Sequence, residues 1–298
     1  MAIGLLTMIP LEFLRSSVLT PWWLPPVSLD YEDGFKPSVS STPSKASSSS
    51  TFSKPKVPFS LSARISDADY VKQRADLSLS AAFVFDATSS MSTYIQQTSN
   101  QIREMAKVLE EYISRSVSAM GYDTKKLTVS FSFCAYRDIG DSVPVELIPF
   151  GNATALSNAI GGVVADGGDD VAEDICTGLD EMLKAKWPGG HRIIFVIGDS
   201  PNHGKRFNCG CEDNHPQDPN GRTWESRFDD IAAKVTELGT GLVICPLKNG
   251  SHFDPMYEYL KGKTRGNMVS KVDLNDSKIL DSITATMKQA YAAYLSGL

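Results

Sequence analysis

Two aspartates in this sequence stand where an apolar run stops. Residues 81–85 read AAFVF and lead into Asp86; residues 193–198 read IIFVIG and lead into Asp199. The first aspartate opens Asp86-Ala87-Thr88-Ser89-Ser90-Met91, directly ahead of a helical pattern. A strand, an Asp-x-Thr-x-Ser loop and a helix in that order put one carboxylate and two hydroxyls at alternate positions of a tight loop. All three are hard oxygen donors, which suit Mg²⁺, or Mn²⁺ in its place, better than Zn²⁺. The plainer alternative is that Asp86 ends a strand and Ser90 caps the helix that follows.

The elements that must carry these loops alternate along the chain. AAFVF suits a buried parallel strand. Ile95, Thr98, Ile102, Met105, Leu109 and Ile113 recur at helical spacing and mark one apolar face. Residues 126–135 alternate, with Leu127, Val129, Phe131 and Phe133 on one side and Thr128, Ser130 and Ser132 on the other. Residues 145–150 predict a further strand, placed at a sheet edge by Pro149. Val171, Ile175, Leu179 and Met182/Leu183 predict a second helix ahead of the strand at 193–198. A helix at 224–238, a strand at 241–247, a short helix near 253–262 and a weak strand near 268–272 follow. A terminal helix carries Ile279, Leu280, Ile283, Met287, Tyr291 and Tyr294. Strands separated by helices predict an α/β, doubly wound, mostly parallel sheet with helices on both faces. Such sheets bind ligands beyond the carboxyl ends of the strands, where the strand order reverses.

Asp86-x-Thr88-x-Ser90 after an apolar strand resembles the metal-ion-dependent adhesion site of von Willebrand factor A domains, with Thr88 where the pattern more often has Ser. The resemblance covers roughly residues 70–298 and implies a Rossmann-like sheet of about six strands. It also implies a further Asp at the end of a central strand, reaching the metal through water; Asp199 fits that place. A third loop commonly supplies a Thr ahead of a helix. Here that loop reads Asp166-Gly167-Gly168-Asp169-Asp170-Val171-Ala172-Glu173-Asp174 and holds no Thr. Its donor is Asp169, Asp170 or Glu173; Glu173 is the first choice and Asp170 the second. Tyr136-Arg137-Asp138, the GGDDVAED stretch and Asp199-Ser200-Pro201-Asn202-His203-Gly204 together look like the A domains of alpha-kinase-associated proteins, with Asn202 in place of that group's Cys. Arg137, Asp138 and His203 are the candidate partner-contacting residues, the plainer reading of Arg137 and Asp138 being ion pairs that order their loop.

The function implied is a cation-dependent binding module. Asp86, Thr88, Ser90, Asp199 and Glu173 or Asp170 would hold Mg²⁺ or Mn²⁺, and an Asp or Glu of a partner protein would take an open position. Two other classes remain: a Mg²⁺-dependent phosphatase-like hydrolase, and a scaffold with a vestigial site. Cys209-x-Cys211 with His203 and His215 lacks the usual zinc spacing. Ser200, His203 and Asp199 are too close in sequence to form a catalytic triad readily. The sequence carries no Gly-rich phosphate loop and no kinase catalytic-loop signature, so no enzyme is expected in these residues.

Composition narrows the setting. The 298 residues include 29 basic and 35 acidic side chains, a net charge of −6, which argues against a dedicated nucleic-acid binder. No run approaches the roughly 20 apolar residues of a membrane-spanning helix. Five scattered cysteines do not form a disulfide framework and point to the cytoplasm. The apolar leader at 1–26 is interrupted by Pro10, Glu12 and Arg15 and lacks a basic start, leaving secretion as the weaker alternative. Residues 27–60 are dominated by Ser, with Pro and Lys, and cannot bury enough apolar surface to order themselves. The expected organisation is a low-complexity leader and linker at 1–60 and one A-like domain at 61–298.

Overall fold

The computed structural model describes residues 76–248, 250–264, 268–274 and 279–296. The low-complexity segment 1–60, its Trp22-Trp23 pair and the expected domain start at 61 lie outside the described residues. Six strands, β1 (Leu79–Asp86), β2 (Val129–Tyr136), β3 (Val145–Gly151), β4 (His191–Gly198), β5 (Gly241–Pro246) and β6 (Val269–Lys271), form one sheet in the order β3-β2-β1-β4-β5-β6. β1 pairs parallel with both β2 and β4, and β4, β5 and β6 continue in parallel. β3 is antiparallel and lies at an edge, where Pro149 costs no central ladder bond. The chain builds outward from β1 in one direction and from β4 in the other. The switch point therefore lies between the ends of β1 and β4, beside Asp86 and Asp199.

Among the described residues, six helices cover the sheet: α1 (Ser92–Ala119), α2 (Ala153–Ile160), α3 (Ile175–Lys184), α4 (Trp224–Leu238), α5 (Asp254–Lys263) and α6 (Ile279–Ser296). Alternate residues of the central strands feed two cores. Ala81, Phe83 and Phe85 of β1 pack with Ile102, Met105 and Leu109 of α1, Leu156 and Ile160 of α2, and Ile283, Met287 and Tyr291 of α6. Ala82 and Val84 point the other way, toward Ile175 and Leu179 of α3, Phe228 and Ile231 of α4, and Leu260 of α5. Every member of the stripe Ile95, Thr98, Ile102, Met105, Leu109, Ile113 is buried. The terminal helix is tied to the start of β1 by the Tyr291 and Tyr294 hydroxyls, which donate to the carbonyls of Leu77 (2.9 Å) and Asp76 (2.6 Å).

Two local features depart from the sequence reading. The sequence pattern predicts no element over α2, which is eight residues long and whose Leu156 and Ile160 are too few to make a periodic stripe. Its start is set by Asn152, whose side chain accepts from the Ala155 N–H at 2.9 Å. The second expected helix begins at Ile175 rather than near Val171. Asp174 caps it, accepting from the Thr177 N–H at 2.9 Å, and Val171 is 44% exposed on the loop before it.

Candidate metal centre

The Asp86 carboxylate is fully buried at the end of β1. Its Oδ1 accepts from the Thr88 N–H at 2.9 Å and the Thr88 hydroxyl at 2.7 Å. Thr88 Oγ1 lies 3.5 Å from Ser90 Oγ, and the Ser90 hydroxyl donates to Asp199 Oδ1 at 3.0 Å. Four expected donors from two loops thus form one chain of oxygens. The side chains of Thr88 and Met91 make no cap for the turn at 89–91 or for α1. The Ser90 hydroxyl therefore turns to an acid on another strand, against the plainer helix-cap reading.

The third loop docks on the first. Ser89 donates to the Gly167 carbonyl from both its N–H (3.3 Å) and its hydroxyl (2.9 Å), and the Asp166 N–H donates to the Ala87 carbonyl at 3.0 Å. Gly168 has φ +86°, and a Cβ there would meet Glu173 Oε1 at 3.1 Å and Thr88 Cβ at 3.2 Å. Glu173 is therefore the acid of this loop that lies against Thr88. Asp169 is exposed. Asp170 turns away, accepting from the N–H groups of Ala172 (2.9 Å) and Asn214 (2.5 Å). Glu173 is held by a parallel bridge to Asn202, with its N–H on the Pro201 carbonyl at 2.9 Å. The Asn202 amide accepts from the Cys176 N–H at 3.1 Å and donates to the His203 carbonyl at 2.9 Å, binding the loop after β4 to the first turn of α3.

The electrostatics of this corner are unbalanced. Asp86 Oδ2, Glu173 Oε2 and the Tyr136 hydroxyl are buried and have no hydrogen-bond partner among the described residues. Burial pushes the Asp86 pKa up and the Asp199 charge adds to it, against hydrogen bonds from Thr88 that pull it down. Burial raises Glu173 too, with the charges of Asp86 and Asp138 next. Tyr136 rises through burial and then the charges of Asp86, Glu173 and Asp199. Gly198 lets these groups close up: a Cβ there would sit 2.6 Å from the Tyr136 hydroxyl and 3.2 Å from Asp86 Cβ. Lys248, just past β5, sets its Nζ 3.0 Å from Asp199 Oδ2 and over the Tyr94 ring. A hard divalent cation fits this donor set, since carboxylates and hydroxyls are its preferred ligands and two carboxylate oxygens lack partners.

The remaining candidates gather elsewhere. Arg137 is buried and donates to the carbonyls of Val143 (2.9 Å) and Val164 (2.5 Å), tying two loops together. Asp138 and His203 are buried in contact, Nε2 to Oδ1 at 2.5 Å, with Asp213 Oδ1 3.0 Å from Nδ1. Both ring nitrogens of His203 face these acids, so Ser200 gains no base from it. Among the described residues, His, Cys, Asp and Glu ligand atoms converge within 4.8 Å at Asp138, Asp170 and His203. Neither Cys209 nor Cys211 joins them. The acids Asp86, Glu173 and Asp199 do not converge that closely; the hydroxyls of Thr88 and Ser90 stand between them. Tyr136, Lys248 and Asp213 were not singled out from sequence for these roles. The available signals were the place of Tyr136 in the Tyr136-Arg137-Asp138 stretch and the position of Lys248 after a strand on the same side of the switch point.

No family model matches the chain. Over 210 residues it is 26% identical to the alpha-protein kinase vwkA of Dictyostelium discoideum, covering 69% of this chain and 31% of that protein. Over 215 residues it is 24% identical to a putative ariadne-like RING finger protein of Acanthamoeba polyphaga mimivirus, covering 68% of this chain and 19% of that protein. The chain thus spans a third or less of the length of these curated relatives. Among solved structures, the vWF domain of the type V pilus tip protein Mfa5 from Porphyromonas gingivalis superposes with a TM-score of 0.44 at 12% identity, covering 73% of this chain and 97% of that one. The six-stranded α/β architecture rests on the strand order and register of this chain itself.

Proposed function

We propose that this chain is a divalent-cation-dependent protein-binding module of the von Willebrand A type. The observation that carries this reading is the pair of buried carboxylate oxygens, Asp86 Oδ2 and Glu173 Oε2, that have no hydrogen-bond partner among the described residues, near the switch point of the sheet. Asp86, Thr88, Ser90, Glu173 and Asp199 are the residues assigned to hold Mg²⁺ or Mn²⁺, some of them through water. The cation would offer a Lewis-acidic position to an Asp or Glu of a partner protein. The chain's own residues prepare that position. Thr88 orients the Asp86 carboxylate with two hydrogen bonds, and Ser90 bridges the first loop to Asp199. Gly167 and Gly168 let the third loop bring Glu173 against Thr88.

No helix among the described residues is long and apolar enough to cross a membrane. All five cysteines are free, which supports placing the module in the reducing cytoplasm.

The test is capture on immobilised peptides bearing Asp or Glu, against the same peptides with Asn or Gln, in Mg²⁺ or in chelator. Capture should need both the acid and the metal and should vanish in Asp86→Ala with the fold intact by circular dichroism. Capture that persists in chelator contradicts the reading. Hydrolysis of a phosphate ester that disappears in Asp86→Ala would replace it with the phosphatase.

A further inference from the structure

His203 is the hub of a second polar cluster, built from the loops after β2, before α3 and after β4. Its ring has no solvent exposure. Nε2 faces Asp138 Oδ1 at 2.5 Å and Nδ1 faces Asp213 Oδ1 at 3.0 Å. One ligand atom from each of Asp138, Asp170 and His203 lies within 4.8 Å of the other two.

The plain account makes His203 a charged strut between two aspartates, and its raised pKa agrees: burial opposes the charge, but Asp138 and Asp213 outweigh it. That account suits Asp213, whose oxygens are further held by the Gly204 N–H (2.8 Å), the Asn208 amide (3.1 Å) and the His215 N–H (2.9 Å). It suits only one oxygen of Asp138: Oδ1 also accepts from the Ile139 N–H at 2.7 Å. Asp138 Oδ2 is buried with no hydrogen-bond partner among the described residues, on a side chain only 1% exposed. A carboxylate oxygen so placed is costly unless something positive meets it.

We propose that Asp138, Asp170 and Nε2 of His203 form a second metal site, one that takes a borderline transition ion such as Zn²⁺ or Co²⁺ in preference to Mg²⁺. An imidazole ligand is what separates the two classes, because Mg²⁺ favours oxygen donors alone. The ion takes the place of the Nε2 proton, which is released to solvent on binding. Two carboxylates then balance its charge, and the idle Oδ2 of Asp138 gains a partner. Nδ1–H remains on Asp213, whose three other hydrogen bonds hold it in place. That is the outer carboxylate that fixes the tautomer and ring angle of a ligating histidine. Asp170 is the partly exposed member of the three. This site does not rest on the Asp86 reading, and the two fail separately.

The test is a Co²⁺ titration of the chelator-stripped full chain, followed by its visible ligand-field bands. With Mg²⁺ present in excess to occupy the Asp86 site, the wild type should bind one Co²⁺ with a nitrogen- and oxygen-ligated spectrum, displaced by Zn²⁺. His203→Gln should lose the bands and Asp86→Ala should keep them. Asp213→Asn should weaken Co²⁺ binding about tenfold while leaving the spectrum in place. If His203→Gln does not fold, Asp170→Asn decides, with loss of the bands expected and unchanged bands overturning the site. The proposal is also overturned by no bands in the wild type, by bands that survive His203→Gln, or by bands lost in Asp86→Ala. A thiolate charge-transfer band that disappears in Cys209→Ser would overturn it too, by moving the ion to the cysteines.

Discussion

Two acidic clusters flank α3, and they differ in how far the chain's own cations reach their buried acids. Asp174, Asp180 and Asp218 surround Arg227, with contacts of 3.6, 2.8 and 4.0 Å, and Lys234 adds a second cation 2.9 Å from Asp180. Burial would raise the Asp180 pKa, but hydrogen bonds from Arg227 and Lys234 bring it below the ordinary value; Asp174, more deeply buried, stays raised despite Arg227. At the switch point, Asp86 and Glu173 are both raised and keep buried oxygens without partners among the described residues. The nearby Lys248 contacts Asp199, the most accessible of the three by position. Acidity is common to both clusters. The difference is how far a cation supplied from within the chain reaches the buried acids, and the shortfall at the switch point is what the proposed cation would make good.

The largest effect is expected where the internal cation is removed. Arg227→Ala strands Asp174 and Asp218 and leaves Asp180 with Lys234 alone, and should cost on the order of 3 kcal/mol in urea unfolding, whether or not Mg²⁺ is present. A loss no larger than that of a typical surface substitution would break the comparison. The opposite sign is expected at the other cluster. Asp86→Asn keeps an acceptor for Thr88 and removes a buried charge, so in chelator at pH 8 it should stabilise by about 1 kcal/mol while abolishing the response to Mg²⁺.

Asp180 should respond to pH oppositely to Asp86 and Glu173, whereas the raised Asp174 beside it follows their direction. Asp86 and Glu173 hold their protons above the ordinary values of 3.8 and 4.5, so the folded state binds more protons than the unfolded one. Metal-free stability should therefore fall as pH rises above that range, and His203, raised from 6.5, contributes in the same direction. Asp180, lowered from 3.8, contributes stability that is present above that value and lost as pH falls. Thermal melts in chelator between about pH 5 and about pH 8 read the first slope. Added Mg²⁺ should flatten it, because binding draws on the deprotonated acids. A melting temperature that rises with pH in chelator would contradict the assignment. The smallest effect belongs to Lys248. Its ammonium is half-exposed, so Lys248→Met should tighten Mg²⁺ binding only a few-fold in calorimetry. Weaker binding would show that Lys248 supports the site rather than competing for Asp199.

The residues that were legible in the sequence are those whose role is local. Asp86 and Asp199 stand at the ends of apolar runs, and the stripe from Ile95 to Ile113 marks α1 because burial and period coincide. The short α2 was not legible, since eight residues carry too little pattern to separate a helix from a loop. The division of labour among Asp169, Asp170 and Glu173 was left open for a different reason. It depends on Gly168 at positive φ and on the bridge to Asn202, both settled by packing between distant segments. Asp138 and His203 are 65 residues apart, and nothing in the spacing of either motif announces their contact.

The most direct measurement is calorimetric titration of Mg²⁺ into the chelator-stripped chain, wild type beside Asp86→Asn. One saturable site in the wild type and no heat of binding in the folded variant is the expected result. No saturable binding by the wild type, or equal binding by both, would contradict a cation site at the junction of β1 and β4.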